Sequence, residues 1–179
     1  MKTLTTDRLT LRQFKESDLD DFYEYAKNPN VGPNAGWPPH TDKTTSLDIL
    51  RSFIEQDDVW AIIDNGSQKV IGSLGLHPDK KRGNDKTRMI GFVLAEEFWG
   101  QGLMTEAVKR ALRHAFEELE LDLVSVYHYP FNRRSKRVIE KCGFRYEGTL
   151  RLSSLIFNGS VYDDVCYSMT KDDYAQGAA

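Results

Sequence analysis

The sequence has few cysteines and no long hydrophobic run. Its two cysteines, Cys142 and Cys166, lack the CxxC spacing of a zinc site, so we expect reduced thiols and no metal. No apolar run approaches the roughly 20 residues of a membrane-spanning helix, and the start, MKTLTTDRLTLRQF, lacks the apolar stretch of a signal peptide. We therefore expect a cytoplasmic protein without a membrane partner.

An excess of positive charge is also missing. The chain carries 24 Lys and Arg against 27 Asp and Glu, a formal net charge of −3, so the surface as a whole does not suit nucleic acid. An RNA-binding role for the basic stretch 133–141 conflicts with this balance, and any anion site must be local. With 179 residues, of which 40% are hydrophobic, the chain is predicted to form one domain over residues 1–179.

Hydrophobic periodicity predicts a mixed α/β fold. Alternating or apolar runs predict strands at 8–14, 59–64, 69–77, 87–95 and 121–129, and two more within 144–170. Helical spacing predicts four helices, which run from Ser17 to before Pro29, from Thr44 or Thr45 to Gln56, from Leu103 to Leu119 and from Arg133 to Cys142. Three of the strands form a meander, and a strand-helix-strand crossover follows it.

Turn residues separate these elements. Asn65-Gly66 and Asn158-Gly159 are typical of hairpin turns, and Ser17 is predicted to cap the first helix. The stretch NPNVGPNAGWPPHTD, residues 28–42, is too rich in Gly and Pro for a regular element and is predicted to be a long loop. Long loops that contain aromatic residues are often functional.

The stretch FWGQGLMTEAV places Gly100 and Gly102 directly before a helix. The glycines either make a tight turn or let a ligand approach the backbone, where the first N–H groups of the helix bind an anion such as a phosphate. GQGLM contains no capping side chain, and Thr105 and Glu106 come too late to cap the helix. We therefore expect an external group to satisfy these N–H groups.

Two segments resemble signatures of a known family. IGFVLAEEFWGQGLMTEAV resembles the acyl-CoA-binding motif Q/R-x-x-G-x-G/A of the GNAT N-acetyltransferases, with Trp99 at the Gln or Arg position and Met104 at the final Gly or Ala. NRRSKRVIEKCGFRYEG resembles the second signature of their ribosomal-protein N-terminal branch. The resemblance extends from DRLTLRQF to YDDVCYSM. It implies a single GNAT-like domain with a mostly antiparallel sheet, splayed at the acyl-CoA site, and helices on both faces.

The resemblance also implies a set of cofactor-binding residues. Asn132 would bond the pantetheine, although its residue type also suits a helix N-cap. Ser135 matches the serine that would protonate the departing thiolate in the ribosomal branch, or else is an ordinary exposed helix serine; the position where other GNAT enzymes use a tyrosine holds Ile139. The other residues are those of the diphosphate cradle, Gly100, Gln101, Gly102, Leu103, Met104 and Thr105; Val93 and Leu94, which would pair with the pantetheine; and Arg133 and Arg134, which would contact the adenosine phosphate.

The general base is not identified by the resemblance. The expected glutamate position holds Ser154, and an acid often found before the IGF strand is replaced by Met89. His128 is the first candidate, followed by Tyr127, His77 and Asp164. The loop segment Trp37-Pro38-Pro39-His40 is expected to border the acceptor pocket, or else to be a rigid surface connection.

The implied reaction is direct transfer of an acetyl group from acetyl-CoA to a primary amine, without a covalent enzyme intermediate. A protein N-terminus is the first acceptor, and a small-molecule or antibiotic amine is the alternative. Because no base is evident, a non-catalytic acyl-CoA-binding module is a second hypothesis. The partners are thus acetyl-CoA and an amine acceptor, with a homodimer left open.

Overall fold

The computed structural model describes residues 1–177, which form eight β-strands and six α-helices. The strands are β1 (Leu4–Thr5), β2 (Leu9–Gln13), β3 (Val59–Asp64), β4 (Val70–Pro78), β5 (Thr87–Leu94), β6 (Leu123–His128), β7 (Arg145–Leu155) and β8 (Val161–Thr170). The helices are α1 (Leu19–Ala26), α2 (Gly32–Ala35), α3 (Lys43–Gln56), α4 (Leu103–Arg113), α5 (Arg133–Lys141) and α6 (Lys171–Gly177).

The strands form one mixed sheet in the order β1-β2-β3-β4-β5-β6-β8-β7. The pairs β1–β2, β2–β3, β3–β4, β6–β8 and β7–β8 are antiparallel, whereas β5 and β6 are parallel and joined through α4. This topology confirms the predicted mixed α/β class, with its mostly antiparallel sheet and crossover. Pairing of β5 with β6 covers only residues 87–89 and 123–125, so it stops well before either strand ends.

Contacts within the chain cluster into two compact units, and a single domain over the whole chain remains our proposal. Unit 1 consists of Met1–Gly75 and Phe92–Ala107. Its core lies where α1 and α3 cover β2 and β3, with Phe14, Phe22 and Leu50 buried. Phe14 and Phe22 meet edge to face at 5.7 Å between ring centroids. This unit contains the glycine turn and the first residues of α4.

Unit 2 consists of Leu76–Gly91 and the chain from Val108 onward. Val124 and Val126 of β6 and Ile139 of α5 are buried in it. A polar network fastens the insert after β4, because Arg82 pairs with Asp79 at 2.8 Å and also with Glu147. Ser125 Oγ donates to the same Asp79 carboxylate at 2.6 Å.

The predicted helix starts are wrong by a few residues. Ser17 does not cap α1, since a 3-10 turn over Glu16–Asp18 precedes the helix and Asp18 is its N-cap. Asp42, rather than Thr44 or Thr45, caps α3 by accepting from the Thr45 N–H at 2.8 Å. Asp, Ser and Thr all suit the N-cap, so neighbouring candidates cannot be ranked by residue type.

Short or irregular segments account for the other differences. The predicted loop contains α2, which has a proline in its first turn and ends at Gly36 with φ 91°. The long helix becomes π-helical over His114–Glu118, where the Leu119 N–H donates to the His114 carbonyl at 3.0 Å. A π turn shifts the buried face by one residue, and Leu119 is 43% exposed instead of buried. Strand β1 and helix α6 were not predicted.

The two Asn-Gly sequences do form turns. In the second turn Gly159 supplies the left-handed residue, with φ 82°. In the first turn that conformation belongs to Gln68, with φ 61°, so the turn is longer than a two-residue hairpin. Over residues 1–177, no helix combines the length and the apolar character needed to cross a bilayer.

Candidate active site

The glycine turn is an exposed stretch of backbone in unit 1. Gly100 and Gly102 have φ of 77° and 79°, in the left-handed region that side chains rarely adopt. Among residues 1–177, and leaving aside the neighbours in sequence, a Cβ atom at Gly100 would meet nothing within 4 Å, and one at Gly102 would meet only Arg8 Nη2 at 3.7 Å. The glycines therefore make a tight turn and also leave open space beside the main chain, so the two interpretations are compatible.

Helix α4 presents its N-terminus directly after this turn. Its first internal hydrogen bond joins the Glu106 N–H to the Gly102 carbonyl at 3.1 Å. The N–H groups of Leu103 and Met104 precede that bond and have no acceptor within the helix. Together with the positive end of the helix dipole, they suit a diphosphate, so the residues present fit coenzyme A.

The two motif departures have structural explanations. Trp99 donates its indole Nε1–H to the Leu94 carbonyl at 2.8 Å and packs on the unit 1 core, so it fastens the turn to the end of β5. Met104 is only 6% exposed, which directs its side chain into the protein. Neither side chain is needed by a cradle that binds through main-chain N–H groups.

The end of β5 is tightly packed against β4 within unit 1. A Cβ atom at Gly72 would lie 2.4 Å from the Val93 carbonyl oxygen, so only glycine allows this approach. The Ala95 N–H donates to the Ile71 carbonyl at 2.7 Å. The Leu94 carbonyl already accepts from Trp99, and the pairing of Val93 and Leu94 with pantetheine stays a prediction.

The start of α5 lies in unit 2. Asn132 is the N-cap, because its Oδ1 accepts from the Ser135 N–H at 3.0 Å. Ser135 is half-buried, whereas Arg133 and Arg134 are exposed. The capping role of Asn132 is thus confirmed, and the roles of these four residues toward coenzyme A stay predictions.

A buried carboxylate accounts for the serine at the expected glutamate position. Asp164 on β8 is 1% exposed and accepts from Lys81 Nζ at 2.6 Å. Ser153 and Ser154 of β7 donate to the same carboxylate at 2.9 and 2.7 Å. Its oxygens are therefore occupied by three donors, which makes Asp164 a poor acceptor for the amine proton. Sequence reasoning missed Lys81 and Ser153, because no local pattern links them to β8.

Tyr127 lies beside this cluster. Lys81 Nζ sits 4.5 Å from the Tyr127 ring centroid, a cation-π contact. Burial, aided by the Asp164 charge, raises the pKa of Tyr127, so the side chain is a neutral phenol at physiological pH. A neutral phenol is not a base, and this weakens Tyr127 as a candidate.

His128 points to the opposite face of β6 from Tyr127, because successive strand residues alternate. It is 5% exposed, and its Nδ1 lies 2.8 Å from the Tyr129 carbonyl oxygen, so Nδ1 must be the donor. The buried Nε2 atom then carries a lone pair and has no hydrogen-bond partner within residues 1–177. His128 thus keeps an atom that can accept a proton, and a base role for His77 stays a prediction.

The Trp37–His40 segment packs inside unit 1. His40 Nδ1 lies 2.7 Å from Ser46 Oγ, and its ring lies 5.2 Å from the Trp37 ring. A Cβ atom at Gly32 would lie 2.4 Å from Trp37. Burial lowers the pKa of His40, although Asp42 partly opposes that shift. These contacts describe a rigid connection, and a role at the acceptor pocket stays a prediction.

Neither cysteine is suited to act as a nucleophile. Burial raises the pKa of Cys142 to about 12 and also raises that of Cys166, so both are neutral thiols at physiological pH. Over the described part of the chain, no group of three or more His, Cys, Asp or Glu residues could hold a metal ion.

Comparison with known proteins identifies the family. Residues 8–145 match the sequence profile described as the acetyltransferase (GNAT) domain. The chain belongs to the GNAT acetyltransferase family. GNAT enzymes use acetyl-CoA as acetyl donor, so this chain is an acetyl-CoA-dependent acyltransferase.

Relatives resemble the chain over nearly its full length. N-acetyltransferase p20 of Bacillus licheniformis is 30% identical over 98% of this chain and 99% of its own. The [ribosomal protein uS5]-alanine N-acetyltransferase of Escherichia coli (strain K12) is 26% identical over 97% of this chain and 93% of its own. A GNAT-family acetyltransferase structure from Bacillus anthracis superposes with a TM-score of 0.87, at 22% identity, over 96% of this chain and 99% of that chain.

Proposed function

We propose that this GNAT enzyme acetylates the amino terminus of a protein; one relative is named a [ribosomal protein uS5]-alanine N-acetyltransferase. The observation that carries the proposal is the exposed turn at Gly100 and Gly102, with left-handed backbone and open space before α4. It provides the cradle for the donor, and the ribosomal-type signature NRRSKRVIEKCGF favours a peptide acceptor. Such an acceptor would place the enzyme in the cytoplasm.

The chain's residues divide the work of direct transfer. Acetyl-CoA supplies the acetyl group as a thioester when bound. The main chain from Gly100 to Thr105 would hold its diphosphate, and Val93 and Leu94 would pair with its pantetheine. Asn132 would orient the pantetheine, while Arg133 and Arg134 would neutralise the adenosine phosphate.

Proton transfer is the remaining requirement. An alkyl amine has a pKa of about 10, so it arrives mostly as ammonium and must lose a proton before it attacks the carbonyl carbon. We assign that proton to His128 Nε2, whose lone pair is left by the Nδ1–H bond to Tyr129. As the new C–N bond forms and the C–S bond breaks, the Ser135 hydroxyl would donate a proton to the departing thiolate and would regain one from the attacking nitrogen, which loses its second proton as it becomes the amide.

A small-molecule amine is the second candidate acceptor. Its support is Ser154, which stands where the family resemblance leads us to expect a glutamate and which donates its hydroxyl hydrogen to Asp164. A site without that glutamate differs from the ribosomal type, and acceptor specificity generally resides in the surrounding loops. A homodimer also remains a proposal, which light scattering on the purified chain would test.

The acceptor proposal is tested by thiol release from acetyl-CoA in the presence of a panel of substrates. The panel pairs peptides that have free N-termini with the same peptides N-acetylated, and adds aminoglycosides, polyamines and free amino acids. We expect turnover with free N-terminal peptides and none with their blocked forms. Turnover confined to small amines would replace the first acceptor by the second. Coenzyme A binding without turnover on any amine would contradict both.

A further inference from the structure

The N-terminal motif DRLTLRQF has no role in the cradle described above, yet its first arginine touches the glycine turn. Arg8 Nη1 donates to the Gln101 carbonyl at 3.1 Å, within the turn itself. Nη2 of the same guanidinium would lie 3.7 Å from a Cβ atom placed at Gly102. Arg8 therefore bonds Gln101 and lies near Gly102, the two residues directly before α4.

The same guanidinium also holds the first turn of α4. Arg8 Nε donates to Glu106 Oε2 at 2.8 Å, and Nη2 lies 2.6 Å from the same oxygen. Glu106 Oε1 accepts from Thr6 Oγ1 at 2.6 Å and from the Arg8 backbone N–H at 3.1 Å. One arginine thus bridges residues 101 and 106, on either side of the N–H groups that would bind a diphosphate.

The pairing of Arg8 with Glu106 also changes the net charge beside the proposed diphosphate site. Burial alone would raise the pKa of Glu106, but hydrogen bonds from Thr6 and Arg8 outweigh it and lower the pKa, so Glu106 is an anion at physiological pH. A carboxylate in the first turn stabilises a helix but repels a phosphate bound at the same N-terminus. Pairing with Arg8 removes most of that repulsion.

We propose that Arg8 is a positioning residue for the donor: with Thr6 and Glu106 it forms a lock that fixes the glycine turn and cancels the negative charge beside the diphosphate. The proposal rests on the proposed function, because it assumes that residues 100–105 bind coenzyme A. It assigns a role to the segment between β1 and β2, which no part of the acyl-CoA motif includes.

The lock differs from an ordinary surface ion pair in this chain. Arg51 and Glu16 also form a close pair, at 2.8 Å, but both side chains are more than half exposed and neither touches the turn. Glu106 is 22% exposed and accepts from two residues. Arg51→Gln is therefore a matched control, since it removes the same side chain from a pair outside the cradle.

The test compares donors with and without the diphosphate. For Arg8→Gln we expect the Kd of coenzyme A, by calorimetry, and the KM of acetyl-CoA to rise about tenfold, as for the loss of a charge-assisted contact. The kcat at saturating acetyl-CoA should stay within about twofold of the wild type, because Arg8 acts on donor binding. With S-acetylpantetheine, which lacks the diphosphate, kcat/KM should not change.

Further variants separate the two parts of the lock. Arg8→Lys keeps the charge but not the fork, so we expect it to recover part of the affinity, and it carries the same comparison if Arg8→Gln does not fold. The double variant Arg8→Gln/Glu106→Gln should bind coenzyme A more tightly than Arg8→Gln, because no unpaired carboxylate remains.

The outcomes distinguish this inference from the proposed function. If the wild-type protein does not bind coenzyme A, both the proposed cradle and the proposed role of Arg8 are wrong. If the wild type binds and Arg8→Gln binds equally well, or loses kcat/KM for S-acetylpantetheine to the same degree as for acetyl-CoA, the lock is overturned while the cradle stands. Arg51→Gln should match the wild type with both donors.

Discussion

Trp99 and Met104 depart from the acyl-CoA motif, and both side chains serve the protein rather than a ligand. Trp99 bonds the Leu94 carbonyl, and Met104 is buried. At the scale of single residues, the motif therefore combines two demands. The glycines provide backbone conformation and space, while the residues around them fasten the turn to the core.

Ser135 is the residue whose side chain we expect to matter for turnover. Ser135→Ala should lower kcat on the order of 10²-fold, the usual contribution of a general acid. The KM of acetyl-CoA should change little, because the Ser135 backbone N–H, which Asn132 accepts, is kept. Steady-state kinetics with the best acceptor from the substrate panel gives both values.

Ser135→Thr is the control, since threonine keeps a hydroxyl at the same position. It should retain most of the turnover that the alanine variant loses. If Ser135→Ala turns over as fast as the wild type, the departing thiolate takes its proton from elsewhere. Ser135 would then be only a residue of the first turn of α5, without a role in turnover.

At the scale of elements, α5 depends on its cap. Asn132→Ala should lower the free energy of unfolding by about 1 kcal/mol, because the Ser135 N–H loses its acceptor. Asn132→Ser should restore most of this loss, since serine is also a good N-cap. Urea unfolding of the three proteins measures both effects.

Coenzyme A affinity of the same variants tests the second role of Asn132. If its amide contacts the pantetheine, affinity should fall in both variants, although only alanine loses stability. Affinity that follows stability would mean that Asn132 acts only through the helix. Equal stability of the alanine variant and the wild type would show that the cap is dispensable.

Helices and strands long enough to show several periods of hydrophobic residues were predictable, whereas very short ones were not. Strand β3 has the predicted bounds, Val59–Asp64, because a continuous apolar run marks a strand buried on both faces. Helix α2 has four residues and β1 has two, so neither shows a period. The π turn at His114–Glu118 is invisible because the side chains before it follow ordinary helical spacing.

At the scale of the whole molecule, the glycine turn before α4 was predictable and the polar contacts around the base candidates were not. The turn is continuous in sequence, so Gly100, Gly102 and α4 could be placed together. The polar cluster around Asp164 joins three separate segments through Lys81, Ser153 and Ser154. Such a cluster depends on strand register, which a single sequence does not encode locally.

The stability of the chain should depend on pH through His40. Burial lowers the pKa of His40 below its ordinary value of 6.5, so the folded protein holds the neutral ring and the unfolded chain binds the proton more readily. This contribution to stability is complete above pH 6.5 and is lost as the pH falls through the folded-state pKa. Urea unfolding between pH 5 and pH 8 measures it.

His40→Gln supplies the reference, because it removes the titrating ring and leaves the other histidines in place. Between pH 7 and pH 5 the wild type should lose more unfolding free energy than the variant. Parallel pH profiles would mean that the packing around His40 opens enough to accept the charged ring. The Ser46 contact at 2.7 Å holds the ring in its packed position.

The positive φ of Gly100 and Gly102 has a consequence for how the site can diverge over evolution. If main-chain atoms bind the diphosphate, as we propose, selection acts on backbone angles rather than on the residue types of the motif. Substitutions at Trp99 or Met104 that preserve packing should be tolerated, whereas both glycines lie at positions where nearly every mutation is strained. A relative could therefore lose the recognisable sequence motif and still keep the backbone conformation of the turn.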